Sequence, residues 1–425
     1  MTGMTAPSGH EALHTGTNPY VGPRAFTTGE HLYGRDRESK VLRNLLIAER
    51  IVLLHSPSGA GKTSLIQAAL VPAMQKEQFR VLPVMRVSLQ PQHPVAAGGA
   101  TPNRFILSLL LSLEAGLPEE EQLPLEQLAA MDLRAYLKLR HHAEDGGAEE
   151  FLIFDQFEEI LLLDPVDLPA KREFFEQVGA TLHDRNRWAL FAMREEYVAA
   201  LDMYRPLIPT RLGTTFRLDL LGESAARDAV QQPARQEGVD FTEGAARKLV
   251  DDLRRVHVQL PDGGSEERPG NYVEPVQLQV VCRGLWEKLP QGATEIVESD
   301  IGETGNVDTA LAGYYADRVA AIAQQTGVPE RGIRDWFENE LITVQGIRGQ
   351  VLQGPEMSRG LDNTAIWALV DSHLIRAEQR RGATWFELAH DRLIEPVRKD
   401  NYSWREAHFS PLQRQAGLWK SQNEP

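Results

Sequence analysis

The chain has 425 residues, of which 25 % are charged and 42 % hydrophobic. This composition excludes collagen-like and wholly disordered chains, and the length predicts roughly two or three domains. Lys and Arg number 45 against 60 Asp and Glu, and the net charge of -15 argues against non-specific DNA binding, which depends on cationic side chains. The single cysteine, Cys282, excludes an internal disulfide and a cysteine-rich zinc site and fits a reducing compartment.

No segment of the sequence predicts export or a membrane span. Residues 1–17 are rich in Gly, Ser, Thr and Ala and lack an apolar run, so they predict a mobile tail rather than a secretory signal. The longest apolar stretches, near 105–113 and 159–163, are too short to cross a bilayer. We therefore expect a cytoplasmic protein that has no membrane partner.

Strand and helix patterns alternate along residues 18–222. Short apolar runs predict buried parallel strands, and the amphipathic stretches between them predict helices. This alternation indicates a three-layer α/β domain built on a parallel sheet. Strands are predicted at 51–54, 81–88, 151–154, 188–193 and 214–220, and helices at 36–49, from Lys62 to an end or kink at Pro72, at 103–115, 125–144 and 167–184.

The strand pattern fades after residue 222. The next stretch, 223–303, predicts a helical domain, and residues 304–425 predict two helices, a third helix and a β-hairpin, which is the order of a winged helix followed by a C-terminal helix. Helices are predicted at 223–235, 242–256, 275–288, 305–324, 330–343 and 362–373, a polar loop at 258–271, and hairpin arms at 374–379 and 384–388.

A glycine-rich turn at residues 56–63, SPSGAGKT, departs from the P-loop pattern G-x-x-x-x-G-K-[ST] only at Ser56. Its glycines permit backbone N–H groups to cradle phosphates, while Lys62 reaches the β- and γ-phosphates and Thr63 ligates Mg²⁺. The alternative is an ordinary turn with a surface lysine, which the strand before it and the helix after it disfavour. The predicted phosphate-binding residues are Ser58, Gly59, Ala60, Gly61, Lys62, Thr63 and Ser64.

An apolar run that ends at Asp155 predicts a Walker B element, in which this carboxylate holds Mg²⁺ through water. Glu158 and Glu159 follow, and we favour Glu158 as the base that polarises an attacking water, with Glu159 as the alternative. These acids also suit the start of a helix that has no catalytic role. Arg194 ends another predicted strand, where it either contacts the γ-phosphate or is simply solvated.

The order of these motifs resembles the novel-STAND NTPases, signal-transduction ATPases related to NACHT and AP-ATPase proteins and more distantly to AAA+ enzymes. NPYVGPRAF at 18–26, LYGRDRE at 32–38, the P-loop and DQFEE at 155–159 carry the resemblance, which covers about residues 18–420. It implies a P-loop ATPase domain, a helical lid and a winged helix that close around ATP or ADP. It also implies a slow ATPase switch, closed with ADP and open with ATP, that assembles with protein partners or with itself.

The resemblance implies further nucleotide contacts. Gly34 and Arg35 resemble an element that passes over the adenine and ribose. Pro275 resembles a lid proline that packs on the adenine, although a proline also suits the first turn of any helix. AHD at 389–391 resembles the M-H-D motif, with Ala in place of Met, and implies that His390 senses the β-phosphate of ADP; the alternative is a structural His at a strand–helix junction.

The resemblance also bears on partners. Arg205 and Arg211 precede the predicted fifth strand, where AAA+ relatives place an arginine finger, and the sequence does not decide whether either acts so. Family members commonly carry an effector, so we expect one fused at the C-terminus or on a separate chain. Many bacterial relatives act against phage, which extends by analogy to antiphage defence.

Two other functions stay open. A DNA-acting AAA+-like ATPase also joins this core to a winged helix; Arg376, Arg380 and Arg381 on the hairpin favour it, and the net charge of -15 argues against it. The other is a non-catalytic nucleotide-binding scaffold, against which the intact Thr63, Asp155 and Glu158 argue.

Overall fold

The structure is a computed structural model that describes residues 17–89, 91, 102–140, 149–164, 166–259, 265–301, 307–344, 346–380 and 383–409. It divides into two compact units. The first unit holds residues 25–220 and 318–394, and the described part of the second holds 17–24, 221–317 and 395–409. The predicted tail lies outside the described residues up to residue 16. The domain boundaries at 222 and 303 stay predictions.

Residues 25–220 of the first unit alternate between strands and helices, as the sequence predicts. Short 3₁₀ turns at Glu119–Glu121, Glu195–Leu201 and Arg205–Leu207 join some of them. The elements are α1 (Asp36–Glu49), β1 (Ile51–Ser56), α2 (Lys62–Ser64), a π-helical segment (Leu65–Leu70), α3 (Val71–Lys76), β2 (Arg80–Val81), α4 (Arg104–Glu114), α5 (Leu125–Ala129), α6 (Leu133–Arg140), β3 (Glu150–Phe154), α7 (Glu159–Leu162), α8 (Leu168–Leu182), β4 (Arg187–Arg194) and β5 (Thr215–Arg217).

Five parallel strands form the central sheet in the order β2-β3-β4-β1-β5, which confirms the predicted α/β class. Successive residues of β1 enter different cores: Ile51 and Leu53 pack on one face, Val52 and Leu54 on the other. A strand buried on both faces has to be apolar throughout, which is why the uninterrupted runs predict it. β4 separates β1 from β3, so the glycine-rich turn and Asp155 follow strands that are not neighbours.

Two local predictions fail for identifiable reasons. The strand predicted at 81–88 is limited to β2 and one bridge between Met85 and Phe154, because the ladder to β3 is interrupted by one extra residue: Leu82 N–H donates to the Phe151 carbonyl, and the next donor, three residues on, is Met85 N–H to the Ile153 carbonyl. The helix predicted at 125–144 is split into α5 and α6, since the Asp132 carboxylate accepts the Ala135 N–H and starts a new helix. Residues 141–144 lie outside the described part.

The helix after the glycine-rich turn does not end at Pro72. Val71 N–H donates to the Ile66 carbonyl five residues back, and this π-helical turn carries the helix past a residue that has no N–H of its own. The helical run therefore extends over residues 62–76. The kink that the sequence offered as one alternative takes the form of a wider turn.

The second unit is mainly helical from residue 221, as predicted. The prediction of a polar loop at 258–271 is wrong in part, because β8 and β9 form an antiparallel pair that overlaps this range. Its alternating sequence RVHVQ is the strand signal that the neighbouring polar residues obscured. The elements are β6 (Leu221–Gly222), α9 (Glu223–Gln236), β7 (Asp240–Phe241), α10 (Glu243–Leu253), β8 (Arg255–Gln259), β9 (Ser265–Pro269), β10 (Tyr272–Val273), α11 (Pro275–Glu287) and β11 (Glu295–Ile296).

The segment NPYV near the N-terminus is anchored on this helical unit. The Tyr20 side chain is fully buried, and its hydroxyl donates to the Val230 carbonyl of α9. Val21 N–H donates to the Gln279 side chain of α11 at 3.0 Å. A motif that carries the family resemblance therefore serves to hold two helices of this unit together.

The C-terminal part contains helices and a small antiparallel sheet in the order β12-β16-β15. The predicted hairpin is confirmed as β15 paired with β16; its turn at 381–382 lies outside the described residues. None of the described helices is long and apolar enough to cross a membrane. The elements are α12 (Val307–Thr326), α13 (Glu330–Glu340), β12 (Val351–Leu352), β13 (Met357–Ser358), β14 (Leu361–Asp362), α14 (Asn363–Asp371), β15 (Ile375–Arg380), β16 (Ala383–Leu388) and α15 (Ile394–His408).

A buried carboxylate ties this small sheet to the central sheet of the same unit. Glu387 on β16 is only 3 % exposed and lies 3.0 Å from the guanidinium of Arg86. Arg348 lies 3.3 Å from the same oxygen, and Arg376 pairs with it as well. Gln350 donates to the other oxygen at 2.9 Å, so Glu387 is the shared counter-charge of three guanidinium groups.

Replacing Glu387 by Gln is expected to lower the free energy of unfolding by about 3 kcal/mol, because buried guanidinium groups lose their counter-charge. Chemical denaturation of the purified protein measures this. Glu356→Gln is the matched control at an exposed position, with an expected change below about 0.5 kcal/mol. Equal effects of the two substitutions would contradict the importance of the buried cluster.

Candidate functional site

The glycine-rich turn has the backbone of a phosphate cradle. Gly59 has φ 80° and Gly61 has φ 92°, in the left-handed region that L side chains rarely adopt. The helical run 62–76 begins directly after Gly61, so the N–H groups of its first turn open toward the loop. Such a helix start together with glycine-rich backbone is suited to an anion.

Lys62 is held over this loop by the residue that departs from the P-loop pattern. Its Nζ donates to Ser56 Oγ at 2.8 Å, and the Ser56 hydroxyl in turn donates to the Pro57 carbonyl at 2.8 Å. The sequence predicts only that Ser56 is tolerated in place of Gly. The structure adds that its hydroxyl positions the lysine ammonium.

Asp155 and Thr63 meet although their strands are separated by β4. Thr63 Oγ1 donates to Asp155 Oδ2 at 2.8 Å, and the other carboxylate oxygen accepts the Gln156 N–H at 2.9 Å. Asp155 is 2 % exposed. Gln156 has φ 54°, a strained conformation that is characteristic of functional sites. The two predicted metal ligands, Thr63 and Asp155, are therefore in direct hydrogen-bond contact.

The donor atoms at this place fit Mg²⁺. A hydroxyl and a carboxylate are hard oxygen ligands, and Mg²⁺ commonly uses one or two protein oxygens with phosphates and waters as the rest. Among the described residues no group of three or more His, Cys, Asp or Glu side chains could hold a metal ion by itself. Thr63 and Asp155 are thus the residues that would hold Mg²⁺ together with a bound nucleotide.

The two glutamates after Asp155 have different partners. Glu158 is 4 % exposed, accepts the Arg194 backbone N–H at 3.3 Å and lies 3.4 Å from Arg194 Nε. Arg194 ends β4, which pairs with β1 so that Arg194 is opposite Ser56. Glu158 and Arg194 are therefore on the side of β3 that faces the glycine-rich turn.

Glu159 lies among the side chains on the other side of β3. Its Oε2 is buried and has no hydrogen-bond partner among the described residues. Burial raises the pKa of the Glu159 carboxyl, while the charges of Arg86 and Arg348 and a hydrogen bond from Ser88 oppose the rise. Burial also disfavours the charge of Arg86, but Glu387 and nearby carboxylates outweigh this and raise its pKa. Sequence reasoning missed Arg86, whose signal is one charge within the apolar stretch VLPVMRVS.

Arg35 and Ser64 are engaged with protein groups beside the loop. Arg35, which follows Gly34 (φ 75°), is 4 % exposed and donates to the carbonyl of Ala60. The Ser64 hydroxyl accepts the Phe26 N–H at 3.1 Å. Their roles as nucleotide contacts stay predictions.

Pro275 and His390 occupy the local positions that the sequence indicates. Pro275 is the first residue of α11 and belongs to the second unit. His390 follows β16 in the first unit, and its Nδ1 accepts the Arg392 N–H at 3.0 Å. In a neutral ring this leaves the proton on Nε2. Contact of either residue with nucleotide stays a prediction.

The arginines assigned to other partners also have local contacts. Arg205 donates to Asp202 at 2.9 Å and to the Leu212 carbonyl at 3.0 Å, whereas Arg211 is exposed. A finger role for either stays a prediction. Arg376 pairs with the buried Glu387, which weakens its assignment to DNA. The side chains of Arg380 and Arg381 lie outside the described part of the structure.

The chain matches the family described as Novel STAND NTPase 1 over residues 19–416. The chain belongs to this family. The Walker-type ATPase paby2304 of Pyrococcus abyssi is similar to this STAND NTPase, with a TM-score of 0.45, 14% sequence identity and coverage of 88% of this chain and 98% of that chain. The Aeropyrum pernix ORC2 protein in its ADPNP–ADP complexes is similar with a TM-score of 0.43, 16% identity and coverage of 88% and 96%. No curated protein matches the chain.

Family membership confirms the resemblance that the motifs carry. Together with the parallel sheet it identifies this STAND NTPase as a nucleotide-binding protein of the P-loop class. The two solved structures are too distant to support an argument about the site. The support for the role of each residue therefore comes from the contacts within this chain.

Replacing Asp155 by Asn in this STAND NTPase keeps the side-chain size and removes the charge that faces Thr63. Added Mg²⁺ is expected to strengthen ATP binding by the wild type, and the variant is expected to lose about tenfold or more of that gain. Titration calorimetry with Mg²⁺ and with EDTA measures this, and the EDTA titrations are the control because the two proteins should then bind alike. The same Mg²⁺ dependence in both proteins would remove Asp155 from the metal site.

Proposed function

We propose that this protein is a slow ATPase that acts as a nucleotide-controlled switch in the cytoplasm. It binds ATP or ADP with Mg²⁺ and cycles between a closed ADP state and an open ATP state. In the ATP state it assembles with protein partners or with itself, and an effector on the same or a separate chain reads that state. Defence against phage is the setting that the family suggests by analogy.

The observation that carries the proposal is the 2.8 Å hydrogen bond between Thr63 and Asp155. It brings the hydroxyl at the end of the glycine-rich turn and the carboxylate after β3 to one place. A magnesium nucleotide needs both groups there, and a structural turn with a surface lysine needs neither. Asp155 is also buried and hydrogen-bonded to Thr63, which supports a role in binding a magnesium nucleotide because a carboxylate is costly to bury without a partner.

The residues of the site have separable tasks. Bound Mg-ATP supplies the phosphoryl group and the metal charge that neutralises it. Lys62 exchanges Ser56 for phosphate oxygens, and the Glu158 carboxylate accepts a proton from the attacking water. Arg194 pairs with Glu158 at 3.4 Å and is opposite Ser56 on β1, so it is suited to report loss of the γ-phosphate.

Two features support the switch. The order α13, α14 and the β15–β16 hairpin is that of a winged helix, and His390 follows it within the unit that holds the glycine-rich turn. Pro275 at the start of α11 supports the lid. We assign contact with the β-phosphate of ADP to His390 and contact with the adenine to Pro275. ADP then favours the closed state only to the extent that it binds that state more tightly.

The decisive experiment compares the wild type with Lys62→Ala. The wild type is expected to bind ATP and ADP, to release phosphate slowly, and to form a larger species with a non-hydrolysable ATP analogue than with ADP. Lys62→Ala should weaken nucleotide binding about 100-fold, because a charge-assisted contact is lost. Calorimetry, phosphate release and light scattering measure these, with Lys76→Ala at the exposed end of α3 as control. A wild type that binds no nucleotide would refute the proposal.

Because the two glutamates have different partners, we expect their substitution to lower ATP turnover by very different factors. Glu158→Gln should lower ATP turnover about 100-fold or more, since a general base is lost, and leave ATP binding in place. Glu159→Gln should change turnover less than about threefold, because its neighbours are Arg86 and Ser88. Single-turnover phosphate release separates the two, and a larger loss for Glu159→Gln would exchange their roles.

A further inference from the structure

The guanidinium of Arg35 joins the glycine-rich turn to the segment after β5. Its Nη2 donates to the Ala60 carbonyl at 2.9 Å and to the Asp219 carbonyl at 2.7 Å. A guanidinium Nη carries two hydrogens, and both are thus committed to backbone carbonyls. Nη1 lies 3.4 Å from Glu38, so protein groups occupy both terminal nitrogens.

The Ala60 carbonyl belongs to the same planar peptide unit as the Gly61 N–H. In a trans peptide these two groups point in opposite directions. Fixing the Ala60 oxygen on Arg35 therefore fixes the direction of the Gly61 N–H, one of the groups expected to bind phosphate. This peptide lies between Gly59 and Gly61, where the backbone has the greatest freedom to rotate.

We propose that Arg35 is a positioning residue of the phosphate loop, which aims the Gly61 N–H at the phosphates by holding the Ala60 carbonyl. This inference rests on the proposed nucleotide binding and deepens it. Arg35 then acts on the phosphate part of the ligand whatever the base is. The family resemblance instead implies that its segment passes over the adenine and ribose.

The burial of Arg35 agrees with a structural role in holding the glycine-rich turn. It is 4 % exposed although it stands at the start of α1, next to the exposed Asp36 and Arg37. Burial lowers the pKa of Arg35, and the charge of Glu38 opposes the shift. A lysine at this position would have one compact ammonium on a stem that is not matched to two carbonyls, so it can replace the contact only in part.

The test uses two probes, ATP and inorganic tripolyphosphate, each with Mg²⁺ in titration calorimetry. Arg35→Met is expected to weaken binding of both by the same factor, about tenfold or more, and Arg35→Lys to recover part of the loss for both. Arg37→Met, at an exposed arginine two residues along the same helix, is the matched control and should bind like the wild type. Far-ultraviolet circular dichroism checks that each variant is folded.

The outcomes separate the alternatives. Loss of ATP binding with unchanged tripolyphosphate binding would overturn the inference and assign Arg35 to the base or ribose. Unchanged binding of both probes would overturn it as well. If Arg35→Met does not fold, the same comparison with Arg35→Lys decides. A wild type that binds neither probe would overturn the proposed function and with it this inference.

Discussion

The contact between Thr63 and Asp155 depends on the sheet order, and the site depends on that contact. Neighbouring strands lie about 4.8 Å apart, so β1 and β3, with β4 between them, are about 10 Å apart. Neither strand end reaches the other directly. The glycine-rich turn crosses part of this distance and places Thr63 at the start of the following helix, from which its hydroxyl reaches Asp155. The left-handed glycines 59 and 61 are therefore needed to bring the hydroxyl to the carboxylate as well as to leave room for phosphate.

The charges around the end of β3 are arranged in two separate groups. Glu158 pairs with Arg194 toward the glycine-rich turn, while Glu159 lies with Arg86 on the outer side. A buried charge is costly unless it is paired: Glu158 has its ion pair with Arg194, whereas the charges of Arg86 and Arg348 offset only part of the cost of burying Glu159. Arg86 also binds Glu387, which is 301 residues further along the chain. The C-terminal sheet thus contacts the outer group and is electrostatically linked to the end of β3, directly before Asp155.

The sequence predicts features that are built from neighbouring residues, and it misses contacts between residues that are far apart along the chain. The phosphate cradle is built from consecutive residues around Gly59 and Gly61, so its pattern is visible locally, and the buried strands are visible as apolar runs. The edge strands β2 and β5 are shorter than predicted, and each has a partner strand on one side only, so an apolar run alone does not determine where their pairing ends. The contacts of Arg35 and Arg86 join residues 184 and 301 positions apart, and only the folded chain brings these together.

Three hydrogen bonds within the protein itself hold the glycine-rich turn. Lys62 is held by Ser56, Ala60 by Arg35 and Thr63 by Asp155. Glycine loses more conformational freedom on ordering than any other residue, so a loop of this sequence would bind weakly if the ligand had to order it. Here folding meets part of that cost through the side chains of Arg35 and Asp155 outside the motif and of Ser56 at its first position. The short pattern SPSGAGKT supplies the freedom to form the cradle, and the surrounding residues select the conformation in which its N–H groups converge.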